Sequence, residues 1–135
     1  MVLNSSKTSF MKRLITTITL LIASQCFSQD QWKFSKMNTY KLDSELEWFE
    51  AKSFDCDCIV KLQEDEIGRI FVLVQMAEGL VSQYLVKESH TGKTSTILTT
   101  TNTTSQSEMS VVIFTDGKKI EIYNQRMDVK YVYSD

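Results

Sequence analysis

From Glu45 to the C-terminus, apolar and polar residues alternate with a period of two, in short runs separated by turn residues. A chain patterned this way can bury its apolar side chains on one face only as β-sheet. In Asp57-Cys58-Ile59-Val60-Lys61-Leu62-Gln63, Cys58, Val60 and Leu62 share one face, with Asp57, Lys61 and Gln63 on the other. Ile70 to Met76 is apolar on both faces and is expected to be the most central strand. Glu78-Gly79 turns the chain into Leu80 to Lys87, and Ser89 to Gly92 turns it into the threonine-rich run Lys93 to Thr101. Asn102 to Glu108 has no apolar residue and reads as a loop. Met109 to Thr115 and Lys119 to Tyr123 flank Asp116-Gly117, a strong hairpin signal because the favoured two-residue turn needs positive φ at both central positions. Val129, Tyr131 and Tyr133 face one way in a last strand. The spacing predicts an all-β fold, an antiparallel meander of seven to eight short strands forming a small barrel or a sandwich.

Asp43 to Lys52 is ambiguous. Ser44 and Glu47 fit a helical capping box, with Leu42, Leu46 and Phe49 at helical spacing. The alternation Glu45, Leu46, Glu47, Trp48 fits a strand, and the reading favours the strand because the remainder is sheet. Gln31 to Tyr40 is expected to be a further short strand or an ordered arm, with Trp32 and Phe34 packing inward. The chain has no proline, so no turn is set by a pyrrolidine ring.

Residues 1–28 carry the three parts of an export signal: Lys12 and Arg13, an apolar run from Leu14 to Ala23, then small and polar residues to Ser28. The run is roughly 10 residues, half of what a membrane-crossing helix needs, so no membrane span is expected. Met11 directly precedes the basic pair, so residues 1–10 read as an upstream extension. Cleavage after Ser28 would leave a mature chain starting at Gln29, a single β domain over 29–135, secreted or periplasmic. Acylation at Cys26, as in a lipoprotein, is less favoured because Gln25 stands where that processing wants Gly or Ala. Removing residues 1–28 takes away Lys7, Lys12 and Arg13 and no acid, moving the formal charge from -2 to -5. The remaining cations are scattered, which argues against nucleic acid as a partner.

The layout resembles small exported β-rich proteins of Bacteroidota. The likeness is carried by Phe27-Ser28-Gln29 at the end of the signal, early tryptophans at Trp32 and Trp48, and paired strands at Lys119 to Tyr123 and Val129 to Tyr133. It implies provenance and no activity, cofactor or catalytic residue.

Asp55-Cys56-Asp57-Cys58 is the one cluster with chemical character. On a regular strand Cys56 and Cys58 would face the same way with Cα atoms roughly 6.5–7 Å apart, at the limit for a disulfide. The plainer expectation is an inert bridge formed through a bulge, or two buried thiols packed as small apolar groups. The alternative is an envelope thiol-redox pair, or a soft-metal site for copper(I) or zinc completed by His90 or a methionine. His90, on a polar turn, lacks an identifiable nucleophile or orienting partner. Glu64, Asp65 and Glu66 lack the alternate spacing of a calcium loop and read as a solvated turn. Ser110 sits in no nucleophile-elbow context. Trp48, Phe49, Phe71, Tyr84, Phe114, Tyr123, Tyr131 and Tyr133 are expected to be core and cross-strand pairs, or the lining of a ligand cavity. Thr94 to Thr104 reads as an exposed edge strand and loop.

No catalytic set is assembled and no cofactor is implied. The expected function is an exported, non-catalytic binding or interaction module with a protein or small ligand as partner, using a barrel mouth or sheet face.

Overall fold

The computed structural model describes residues 31–77 and 79–135. The signal, the Cys26 lipoprotein alternative and the start at Gln29 lie outside the described residues. Eight antiparallel strands follow one another: β1 Gln31–Leu42, β2 Trp48–Glu64, β3 Ile70–Gln75, β4 Val81–Thr91, β5 Ser95–Asn102, β6 Glu108–Phe114, β7 Lys119–Asn124 and β8 Val129–Ser134. Each pairs with its neighbour in sequence, and β8 returns to β1 over Lys36↔Ser134 to Lys41↔Val129, so the meander closes as a barrel. No described residue is helical, so among the described residues no helix is long and apolar enough to cross a membrane.

Period-two patterning becomes a core because cross-strand partners share a face. Leu98, Val111, Ile122, Tyr131 and Thr39 lie side by side around one level of the barrel. Thr96, Ile113, Ile120, Tyr133 and Met37 form the level beside it. With Trp32, Phe34, Val60, Val72 and Val74 these side chains fill the interior. Lys33, Lys41, Glu50 and Glu88 are among the charged residues left exposed.

Three expectations need correction. Thr94 to Thr104 is not an edge, because closure gives β5 a partner on both sides. Thr96 and Thr100 point inward and are fully buried, with the Thr100 hydroxyl donating to the Met109 carbonyl at 3.0 Å, while Ile97 faces solvent. Threonine serves inside because its methyl packs and its hydroxyl finds a partner, the Met109 carbonyl for Thr100 and the Thr91 hydroxyl for Thr96. Ser89 to Gly92 is not a turn: β4 runs on to Thr91, and Gly92 donates to the Ser95 carbonyl at 2.8 Å. Nor is β3 more central than other strands of the closed sheet. Its second apolar face has a local cover, since the Arg69 guanidinium lies 5.5 Å over the Phe71 ring.

Asp43 to Glu47 is neither helix nor strand, and it introduces the turn that recurs through the fold. In five connections a backbone N–H donates to the carbonyl three residues back, from Leu46 to Asp43, Gly68 to Asp65, Gly79 to Met76, Gly117 to Phe114 and Met127 to Asn124. In every case the donor has positive φ, between 60° at Met127 and 88° at Gly68. This is a type I turn closed by a left-handed residue, the longer hairpin connection, so Asp116-Gly117 needs positive φ at Gly117 alone. The first residue often adds a side-chain cap. Asp43 Oδ1 accepts from the Glu45 and Glu47 amides, Asp65 Oδ1 from Ile67 and Arg69, and Asn124 Oδ1 from Asp128 and Val129. Asp65 also holds Arg69 Nε at 2.7 Å, which makes the acidic run a structured turn.

Leu46 and Met127 occupy the left-handed position without being glycine, although a Cβ there costs roughly 1–2 kcal/mol. Met127→Gly is therefore expected to stabilise the barrel by about 0.5–1 kcal/mol, less than the full relief because glycine loses more entropy on folding. Urea midpoints of the two proteins read this directly.

Candidate functional site

A cavity of about 760 Å³ opens at the end of the barrel that carries the β5–β6 and β7–β8 connections. Its walls come from inward-facing strand positions and its rim from two connections. Met37 of β1, Tyr84 of β4, Met109 of β6 and Tyr131 and Tyr133 of β8 line the depth. Asn102, Ser105 and Ser107 from the β5–β6 side, and Asn124, Arg126 and Asp128 from the β7–β8 side, form the rim.

Register places these groups. Tyr84 sits opposite Val72 on one side and Asn102 on the other, all facing inward. Its ring is largely buried, with the Ser82 and Asn102 side chains within hydrogen-bonding reach. Tyr133 opposes Ile120 and Met37, which buries it to a similar degree. Burial raises the Tyr84 phenol above its ordinary value, and the neighbouring Tyr131 adds to the rise. Tyr133 is pushed higher, first by burial and then by Tyr84 and Tyr131. Both phenols stay neutral at any physiological pH, so they can donate and accept hydrogen bonds but supply no charge.

Charge at the mouth comes from the β7–β8 turn. Asn124 is committed to it: its Oδ1 accepts two amides and its Nδ2 donates to Asp128 Oδ1 at 2.7 Å. That same turn projects Arg126, which is exposed and makes no ion pair among the described residues. A free guanidinium at the rim is a fork of donors suited to carboxylate, phosphate or sulfonate.

The aromatic residues singled out in the sequence divide between two places. Tyr84, Tyr131 and Tyr133 share the cavity. Trp48 and Tyr123 instead meet edge to face on the outer surface at 5.9 Å between centroids, and Lys130 Nζ lies over Trp48, Tyr123 and Tyr40 at 4.7, 5.6 and 5.5 Å. Those three rings are already engaged by a cation of the chain itself. Next to them Glu121 is buried, receiving the Tyr123 hydroxyl at 2.5 Å and Lys119 Nζ at 3.2 Å. Phe114 lies under Lys119, and Phe49 is exposed.

Cys56 and Cys58 stand away from this mouth. Phe34 pairs with Cys58 and Lys36 with Asp55, so Ser35 alone faces Cys56 and Asp57: a β-bulge. The extra residue draws the two Cα atoms to 5.6 Å, and the cysteines are joined as a disulfide with sulfurs 2.07 Å apart. Cys58 is buried and Met76 Sδ lies 3.4 Å from its sulfur. His90 is not brought to them: it lies on β4 opposite Ile97. Among the described residues, no group of three or more His, Cys, Asp or Glu side chains could hold a metal ion.

Alternation alone gives Arg126 and Asn124 no role, and Asn102 falls in a run that reads as loop. Asn124 with Asp128 four residues later, around a chain reversal, was the readable signal. Comparison with protein-family models, with curated proteins and with solved structures returns no match.

Proposed function

We propose that this protein is an exported, non-catalytic binding module whose barrel mouth takes a small ligand carrying a ring and an anionic group. The observation that carries the reading is the convergence of three tyrosines and a guanidinium without an ion pair among the described residues on one cavity of the closed barrel. Small-molecule sites are concave and place a few directed polar groups beside aromatic side chains; this cavity has both, with polar groups making up the larger part of its lining. The groups facing the cavity are phenols, amides, hydroxyls and a guanidinium, which orient a ligand. Asp128, the one carboxylate among the described lining residues, is held by Asn124. The inward apolar core and charged exterior reverse the polarity of a lipid-facing barrel, which supports work in water. Export rests on the tripartite signal of residues 1–28, and N-terminal sequencing of the secreted protein should begin at Gln29.

The dye 8-anilinonaphthalene-1-sulfonate combines fused rings with a sulfonate and tests the mouth directly. Its fluorescence should rise with saturable binding to the folded protein. Arg126→Ala should weaken that binding about tenfold, the loss of one charge-assisted contact. Tyr131→Leu, which keeps the wall apolar while removing ring and hydroxyl, should also weaken it. Unchanged binding in Arg126→Ala, with thermal melting intact, contradicts the reading.

A further inference from the structure

A second cleft, of about 710 Å³, lies between the start of β1, the bulge of β2 and the β3–β4 connection, lined by Phe34, Cys58, Met76, Gly79, Val81 and Asp135. Cys58 and Met76 line it, and Cys56 is bonded to Cys58. The bulge turns Cys56 and Cys58 to the same side, and Met76 brings its thioether to 3.4 Å from Cys58 Sγ. Met76 is not placed there loosely. Its amide donates to the Leu80 carbonyl at 2.9 Å and its carbonyl accepts from Gly79 at 2.9 Å, which pins the residue at the base of the turn. Its side chain packs against the barrel core as does that of Cys56, while Cys58 is almost wholly buried. Two cysteine sulfurs on β2 and a thioether just past the end of β3, with Cys58 in contact with both others, form a soft donor set without a hard ligand among them.

We propose that, once the disulfide is reduced, Cys56, Cys58 and Met76 form a three-sulfur site for a soft monovalent cation, copper(I) or its redox-inert mimic silver(I). In the first step a dithiol or phosphine reductant supplies two electrons. The Sγ–Sγ bond breaks and each sulfur takes up a proton; a dithiol gives up those protons and becomes its disulfide, whereas a phosphine becomes its oxide with water supplying the oxygen and both protons. In the second step the cation displaces both thiol protons to solvent and bonds to two thiolates and the Met76 thioether, with no change in metal oxidation state. The protein's oxidised form has no free thiolate and offers the metal only a thioether. The site is thus available only in the reduced state. It shares no lining residue with the mouth, although both cavities draw on β1 and β4.

Full-length protein reduced with a phosphine under argon and titrated with silver(I), or with copper(I) against a chromophoric chelator, should bind one equivalent per chain, and the oxidised protein none. Met76→Leu should weaken the reduced protein's affinity about tenfold or more, since one of three soft ligands is lost, while leaving the melting of the oxidised form close to that of the parent. Cys56→Ser with Cys58→Ser should abolish binding. X-ray absorption of the copper(I)-loaded parent provides a reading that does not depend on any variant folding: three sulfur neighbours are expected. Absence of stoichiometric uptake by the reduced protein, equal affinity in Met76→Leu, or two sulfur neighbours would overturn the proposal.

Discussion

Val72→Asp is expected to unfold the domain. Val72 is fully buried within the hydrophobic core, opposite Leu62 on β2 and Tyr84 on β4. An ionised carboxylate there loses its water without gaining a partner. The penalty, several kcal/mol even if the group protonates, is comparable with the whole stability of a domain this size, about 5–15 kcal/mol. Thr104→Asp, in the exposed β5–β6 connection, should shift stability by no more than about 0.5 kcal/mol. Circular dichroism melts of the two variants should differ in kind: no cooperative transition in the first, an almost unaltered one in the second. Similar melts would mean that β3 does not face a core.

Ending the chain after Asp128 should be as damaging, for a topological reason. β8 forms six registered pairs with β1 and five with β7, so removing it leaves two open edges and uncovers Met37, Ile120 and Ile122 together. A sandwich that lost an edge strand would keep its two-sheet core. A closed barrel has no such reserve, because every strand is interior to the sheet. The truncated chain is expected to lose its cooperative melt and to aggregate through the exposed edges. A soluble, cooperatively folding truncation would show that closure contributes little.

Much of this architecture was legible in the sequence, because a β-barrel writes its inside and outside as alternate letters. Cys58, Val60 and Leu62 on one face, or Val129, Tyr131 and Tyr133 on another, could be read without knowing the partner strands. What alternation does not carry is which of two faces goes in when both are partly polar. In β5 the choice fell to Thr96 and Thr100 over Ile97 and Thr99, since inward position is set by register with Val111 and Ile113, residues well away in sequence. Closure likewise depends on β1 meeting β8, the longest-range pairing in the chain, and barrel and sandwich stayed open for that reason.

The turns were misread for a local reason. Positive φ at Leu46 and Met127 has no glycine to announce it, and β4's extension through His90 hides behind a Ser-His-Thr-Gly run that resembles a turn. The Asp or Asn that starts the turn was the better marker, at Asp43, Asp65 and Asn124, because its carboxylate or amide oxygen caps the amides that the reversal leaves open. The candidate site was legible only in part. Tyr84, Tyr131 and Tyr133 stood among eight aromatics that one sequence could not separate into cavity and surface. Arg126 gained meaning only when the β7–β8 turn set it over the same opening. The cysteine pair was visible, whereas Met76 beside it was not, since 18 residues and a strand pairing separate it from Cys58.

The central claim is that the tyrosine-walled mouth is the binding surface, and mapping amide chemical shifts of the isotope-labelled protein during titration with 8-anilinonaphthalene-1-sulfonate tests it most directly. Saturable shifts should concentrate at Tyr84, Asn102, Ser105 to Ser107, Gln125 to Asp128 and Tyr131 to Tyr133, and fade in Arg126→Ala. Shifts centred elsewhere, on the outer Trp48–Lys130–Tyr123 face or on the cleft beside Cys58, or no saturable shift at all, would contradict it.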